Sequence, residues 1–292
     1  MPFIYKRYFA GLAVFSFICS VTPVFSAEAS EIQAPEEETE TIIEYNISDG
    51  TSNAFDLELD YTETDTTEYI DNVSPQFLEP IDSPEYPPFN GIGYLYIEHD
   101  SGAITGGTAF LVGKNLALTA AHCVDDPSYG NVTYMCLYIG QNGSGNRLAS
   151  STATSYFIPG TWNASSSNDT VNDWALIKLR TSMDPTRTSI LPCAIRSMAG
   201  KTIMVSGYGS EDGKSDDYQN ISEGKVTSDD GYSLSTNAEG RKGTSGSPML
   251  DITNFDYTVV GIVSAKDWLN HVQGPKIRTS MINLINSFNA RN

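Results

Sequence analysis

From Asn90 onward the chain is cut into short apolar or alternating runs. They are Ile92–Ile97, Thr108–Val112, Leu116–Ala120, Val132–Ile139, Ser155–Ile158, Trp174–Leu179, Thr202–Tyr208, Gly224–Thr227, Ser247–Ile252 and Tyr257–Ser264. Gly, Asn, Asp and Ser separate them. Many runs of strand length closed by turn residues predict an all-β sandwich or barrel. The last segment has a different period. Met281, Ile282, Leu284, Ile285 and Phe288 recur at helical spacing and predict an amphipathic helix packed on the sheets.

The front of the chain follows neither pattern. Lys6 and Arg7 precede an apolar run from Tyr8 to Val21, then Pro23 and the small residues Ser26 and Ala27. That order is the layout of a secretory signal peptide, so residues 1–27 are expected to be removed on export. A retained membrane anchor is the rival reading; the run is short for a span and ends at a helix breaker. No later stretch is long and apolar enough to cross a bilayer, so no stable membrane insertion is expected after removal.

Charge divides the remainder. The formal net charge is −19, but 18 acids and no Lys or Arg lie between Glu28 and Asn90, whereas Gly91 to Asn292 is nearly balanced. A stretch so acidic and so poor in apolar residues is expected to lack order, because burial cannot offset its conformational entropy. Residues 28–89 therefore read as an acidic pro-segment or linker ahead of a folded domain at 90–292. Nothing in this charge pattern suggests a nucleic-acid partner.

Cys123, Cys136 and Cys193 remain once the leader, with Cys19, is set aside. A Cys123–Cys136 bridge would close a small loop and stabilise the fold by about 3 kcal/mol, leaving Cys193 free. The other pairings stay open.

Three motifs carry chemistry: Thr119-Ala120-Ala121-His122-Cys123, Asn172-Asp173-Trp174 leading an apolar run, and Gly243-Thr244-Ser245-Gly246-Ser247-Pro248. A serine hydroxyl is a poor nucleophile at neutral pH. It needs an imidazole to take its proton and a buried carboxylate to hold that imidazole's tautomer. His122, Asp173 and Ser245 supply these groups. Asp173 is preferred to Asp169 because it opens a buried strand, while Asp169 suits a turn. Ser245 is preferred to Ser247 because the flanking glycines permit an exposed turn. The backbone N–H groups of Gly243 and Ser245 are expected to form an oxyanion hole. No cofactor or metal is called for.

In order and surroundings these motifs resemble those of the trypsin-like serine endopeptidases, most of all the bacterial glutamyl endopeptidases. Tyr156-Phe157-Ile158-Pro159 with Gly160 and Trp162, and Val205-Ser206-Gly207-Tyr208, add to the likeness. The resemblance implies two packed six-stranded β-barrels with the active site between them, and an exported monomer acting on protein or peptide substrates. Two features depart from it. Thr244 stands where trypsin-like zymogens carry an activating Asp, and Val263 stands where glutamyl endopeptidases carry a pocket histidine. Ser264, Ala265 and Lys266 are expected to form the edge strand that meets substrate. By count, Glu239 falls where an acid would select basic side chains, while Arg241, Lys242 and Lys266 could attract acidic ones. Two other classes compete: a catalytically inactive protease-like binding protein, and a secreted esterase. Every catalytic group is present, which weighs against the first, and the His–Asp–Ser order weighs against the second.

Overall fold

The computed structural model describes residues 39–59, 79–143, 145–166, 169–209, 218–253 and 257–290. The expected signal peptide lies outside these residues. The strands are β1 (Thr39–Asn46), β2 (Ser52–Glu58), β3 (Glu79–Pro80), β4 (Ile92–His99), β5 (Ile104–Gly113), β6 (Leu116–Thr119), β7 (Val132–Ile139), β8 (Ala149–Pro159) and β9 (Ala175–Leu179). They continue as β10 (Thr202–Gly207), β11 (Asn220–Asp229), β12 (Ser233–Glu239), β13 (Pro248–Asp251), β14 (Thr258–Ile262), β15 (Ala265–Lys266) and β16 (His271–Pro275). Helix α1 (Ala121–Val124) follows β6, and α2 (Thr279–Asn289) ends the described chain.

Two barrel-like sheets result. Strands β4 to β9 close on themselves, because β8 pairs with both β7 and β9. The second sheet runs β14-β13-β10-β11-β12-β16-β15 and stays a half-barrel, so the expectation of two complete barrels holds for the first alone.

Side-chain alternation explains how two sheets fill three cores. Ala109, Leu111, Ala117, Ala175 and Ile177 point into the first barrel, and Ile203, Val205, Met249 and Val260 into the second. The intervening residues Phe110, Leu116, Leu118, Leu176, Met204, Leu250 and Val259 meet between the sheets, where α2 adds Met281, Leu284 and Ile285. Strands buried on both faces read as continuous apolar runs, which is what the sequence shows.

The acidic stretch corrects one expectation. Residues 39–58 form an antiparallel hairpin whose β1 pairs with the outer half of β8, from Ile42 opposite Pro159 to Asn46 opposite Ser155. One face carries Ile42, Phe55 and Leu57 into the core between the sheets, and the other lays Ile43 and Tyr45 on the first barrel. Tyr45 stacks on Tyr156 at 5.0 Å, and Glu40 pairs with Arg278 at 3.5 Å. Averaged composition hid this two-residue alternation beneath the acids. Ile42 is fully buried, and truncating such a side chain leaves a cavity. Ile42→Ala should lower unfolding free energy by about 2–5 kcal/mol. Urea denaturation checks this; an unchanged midpoint would show that the hairpin does not share the core.

Candidate active site

Strand register brings the first two groups together. β6 and β9 pair with Thr119 opposite Ala175, so the turn after β6 and the residues just before β9 emerge side by side. His122 lies in the first of these and Asp173 in the second. The His122 Nδ1 is 2.6 Å from Asp173 Oδ2, and the His122 backbone N–H donates to Oδ1 at 2.8 Å. Asp173 is 3 % exposed. Asp169 instead accepts from Asn163 and Asn172, holding the loop, as its turn-forming chemistry suggested.

A third donor comes from the other sheet. Ser264 Oγ donates to Asp173 Oδ2 at 2.5 Å. Sequence reasoning gave Ser264 to the substrate; Ser264 does line the cavity, and its hydroxyl points at the carboxylate. The available signal was a small polar residue directly after the buried run Val259–Val263.

The Ser245 loop is fixed by contacts across the cleft. Ser245 C=O accepts from Thr108 N–H at 2.8 Å, and Thr108 Oγ1 donates to Gly243 C=O at 3.0 Å. Gly246 has φ +82°, and a Cβ there would lie 2.1 Å from the Thr108 carbonyl oxygen. Only glycine fits so close an approach in that conformation. Ser247 is fully buried and leads into β13. Among the described residues neither the Gly243 nor the Ser245 N–H has an acceptor.

His122, Gly243 and Ser245 border one cavity of about 510 Å³, together with Cys123, Arg241, Lys242, Val263, Ala265, Lys266 and Val272. Among the described residues no hydrogen bond joins Ser245 Oγ to the imidazole; the Nε2 neighbour is Cys123 Sγ at 3.9 Å. Such bonds commonly tighten only when substrate is bound. Burial of His122 opposes its protonation, but the adjoining Cys123 sulfur and the Asp173 carboxylate outweigh this and hold its pKa well above 6.5.

Two expectations need correction. Cys123 and Cys136 are not bridged. Cys123 belongs to the first barrel's interior, whereas Cys136 lies on the opposite face of β7, in phase with Tyr134 and Tyr138, while Met135 and Leu137 point inward. Facing opposite sides of one sheet wall, the two sulfurs have no common space. Glu239 does not line the cavity; its carboxylate pairs with Arg241. Ala265 and Lys266 do line it, at the end of the second sheet, with Lys266 Nζ donating to Asn270 at 2.6 Å.

Comparison with known proteins agrees with this architecture. The trypsin family model matches residues 95–286. A glutamyl endopeptidase from Bacillus licheniformis is 27 % identical over 186 residues, which cover 62 % of this chain and 56 % of that protein, so the chain spans just over half of that relative's length. A solved glutamyl endopeptidase superposes with a TM-score of 0.62 at 25 % identity, covering 73 % of this chain and 97 % of that one. The protease Anisep from Arthrobacter nicotinovorans shares the fold, with a TM-score of 0.60 at 16 % identity over 74 % of this chain and all of that one. With the matched segment spanning both sheets and the cleft between them, the chain belongs to the trypsin family of serine proteases.

Proposed function

We propose that the chain is an exported serine endopeptidase that cleaves peptide bonds through an acyl-enzyme formed on Ser245. The observation that carries this reading is the buried Asp173 carboxylate gripping His122 beside a cavity that also holds Ser245. In the first step the Ser245 hydroxyl attacks the substrate carbonyl and His122 Nε2 takes its proton. The new charge on oxygen is met by the Gly243 and Ser245 N–H groups, which have no other acceptor among the described residues. His122 then protonates the leaving amine. Water enters, gives its proton to the same imidazole, and releases the acyl group. Asp173 stays ionised, holding the Nδ1–H tautomer.

The leader sequence supports export, with residues 1–27 removed. The hairpin's place in two cores supports a mature chain that keeps Thr39–Glu58. Secreted protein should therefore retain these residues on N-terminal sequencing or intact-mass analysis, and a fluorophosphonate should label Ser245. Ser245→Ala should lose labelling and about 10⁶-fold in kcat while keeping the wild-type circular dichroism spectrum. Casein hydrolysis retained by that variant would reject the mechanism.

The pH dependence follows from His122. It acts as a base only when neutral, and its pKa is held well above 6.5. The acid limb of kcat/KM should therefore rise with a midpoint above 6.5, activity falling as pH drops through it. Cys123→Ala removes one raising influence and should move the midpoint to lower pH. A wild-type midpoint at or below 6.5 would contradict the assignment.

A further inference from the structure

The hairpin Thr39–Glu58 lies outside residues 95–286, the part matched by the trypsin family model, yet it reaches the neighbourhood of Asp173. Asp173 is the middle residue of a three-residue turn, closed by Trp174 N–H donating to Asn172 C=O at 2.9 Å. In so tight a turn the two flanking residues set the direction of the central side chain. Arg278 holds both flanks. Its Nη2 donates to Asn172 Oδ1 at 3.0 Å, and its guanidinium carbon lies 5.9 Å from the centre of the Trp174 ring. The other end of the Asn172 amide is fixed too, Nδ2 donating to Asp169 Oδ1 at 3.1 Å. Arg278 Nη2 also bonds Glu40 Oε1, at 3.5 Å. One terminal nitrogen thus serves the Asp173 turn with one N–H and the hairpin with the other.

Each partner is rooted in a different part of the fold. Ile277, next to Arg278, is fully buried, and its N–H donates to Val260 C=O of β14 at 2.8 Å. Glu40 is followed on β1 by Thr41, whose C=O accepts from Gly160 N–H at 2.7 Å just past β8. The Arg278 and Glu40 side chains are 21 % and 14 % exposed. A guanidinium so far withdrawn from water needs a counter-charge. Without Glu40 the head group gains by turning toward solvent and leaving Asn172. Resting on the protease reading above, we infer that Arg278 is a positioning residue for the Asp173 carboxylate and that Glu40 holds it to that task. The acidic segment is thereby an activating part of the mature enzyme, not an inhibitor to be shed. An Arg278 that merely joined the last helix to the hairpin would stabilise the fold and leave turnover alone.

The test is steady-state hydrolysis of fluorescein-labelled casein by the mature enzyme, well below each variant's unfolding midpoint. The proteins are wild-type, Glu40→Gln, Arg278→Gln, Arg278→Lys, and Glu40→Gln combined with Arg278→Gln. Arg278→Gln should lower kcat by on the order of 10²-fold with KM near the wild-type value, because misplacing a catalytic group costs rate more than binding. Arg278→Lys keeps the charge opposite Glu40 and should recover part of that loss. Glu40→Gln should lower kcat in the same way but by less. The combined variant should be no slower than Arg278→Gln alone, because Glu40 acts through Arg278. A folded Arg278→Gln with wild-type kcat, or with its loss confined to KM, would overturn the positioning role. Wild-type kcat in Glu40→Gln, or losses that multiply in the combined variant, would overturn the hairpin's part. If Arg278→Gln does not fold, Glu40→Gln decides: a lower kcat at unchanged KM upholds the inference, and a wild-type kcat overturns it. Fluorophosphonate labelling of wild-type Ser245 separates the two levels. A labelled, active enzyme indifferent to these substitutions refutes the positioning role alone, whereas one that neither labels nor cleaves refutes the protease reading, and this inference with it.

Discussion

A buried carboxylate is the constraint on which the site depends. Asp173 sits away from water and must be satisfied by protein donors, because an unpaired buried charge costs several kcal/mol. Its three donors come from different places: the His122 backbone, the His122 ring and the Ser264 hydroxyl. The first two belong to the turn after the closed barrel's β6, and the third to the segment just after β14 of the half-barrel. Satisfying one charge thus fixes the imidazole and also ties the two sheets together. Arg278 adds to this, bonding Asn172 beside Asp173 at the entry to the last helix.

The Ser245 loop is held by a second set of contacts across the same cleft. Thr108, on β5 of the closed barrel, donates from its N–H to Ser245 and from its hydroxyl to Gly243, and its Oγ1 accepts from Tyr208 N–H at 2.9 Å. The loop therefore takes its shape from the barrel it faces. Gly246 permits that contact by having no side chain. Among the described residues neither the Gly243 nor the Ser245 N–H has an acceptor, because Thr108 meets this loop at its carbonyls.

How much of this was legible depended on whether the signal was local. The strand runs and the closing helix were readable because apolar periodicity is set by near neighbours in sequence. His122, Asp173 and Ser245 stood out as candidates because each sits in a short motif, and the fold sets His122 against Asp173 and brings His122 and Ser245 to one cavity. What escaped required a partner distant in the chain. Glu239 looked available by count, but its pairing with Arg241 and its position outside the cavity belong to the folded loop. Cys123 and Cys136 looked bridgeable by spacing, yet the phase of β7 turns one sulfur out and the barrel keeps the other in. The hairpin at 39–58 was hidden because its acids dominate the composition, while its burial rests on alternating positions such as Ile42 and Leu57.

Proton NMR of the mature protein addresses the Asp173–His122 contact directly. A strong hydrogen bond from Nδ1–H to the carboxylate should appear as a far-downfield exchangeable resonance, kept in Ser245→Ala and lost in Asp173→Ala. A spectrum without that resonance, or one in which it survives removal of Asp173, would contradict the account.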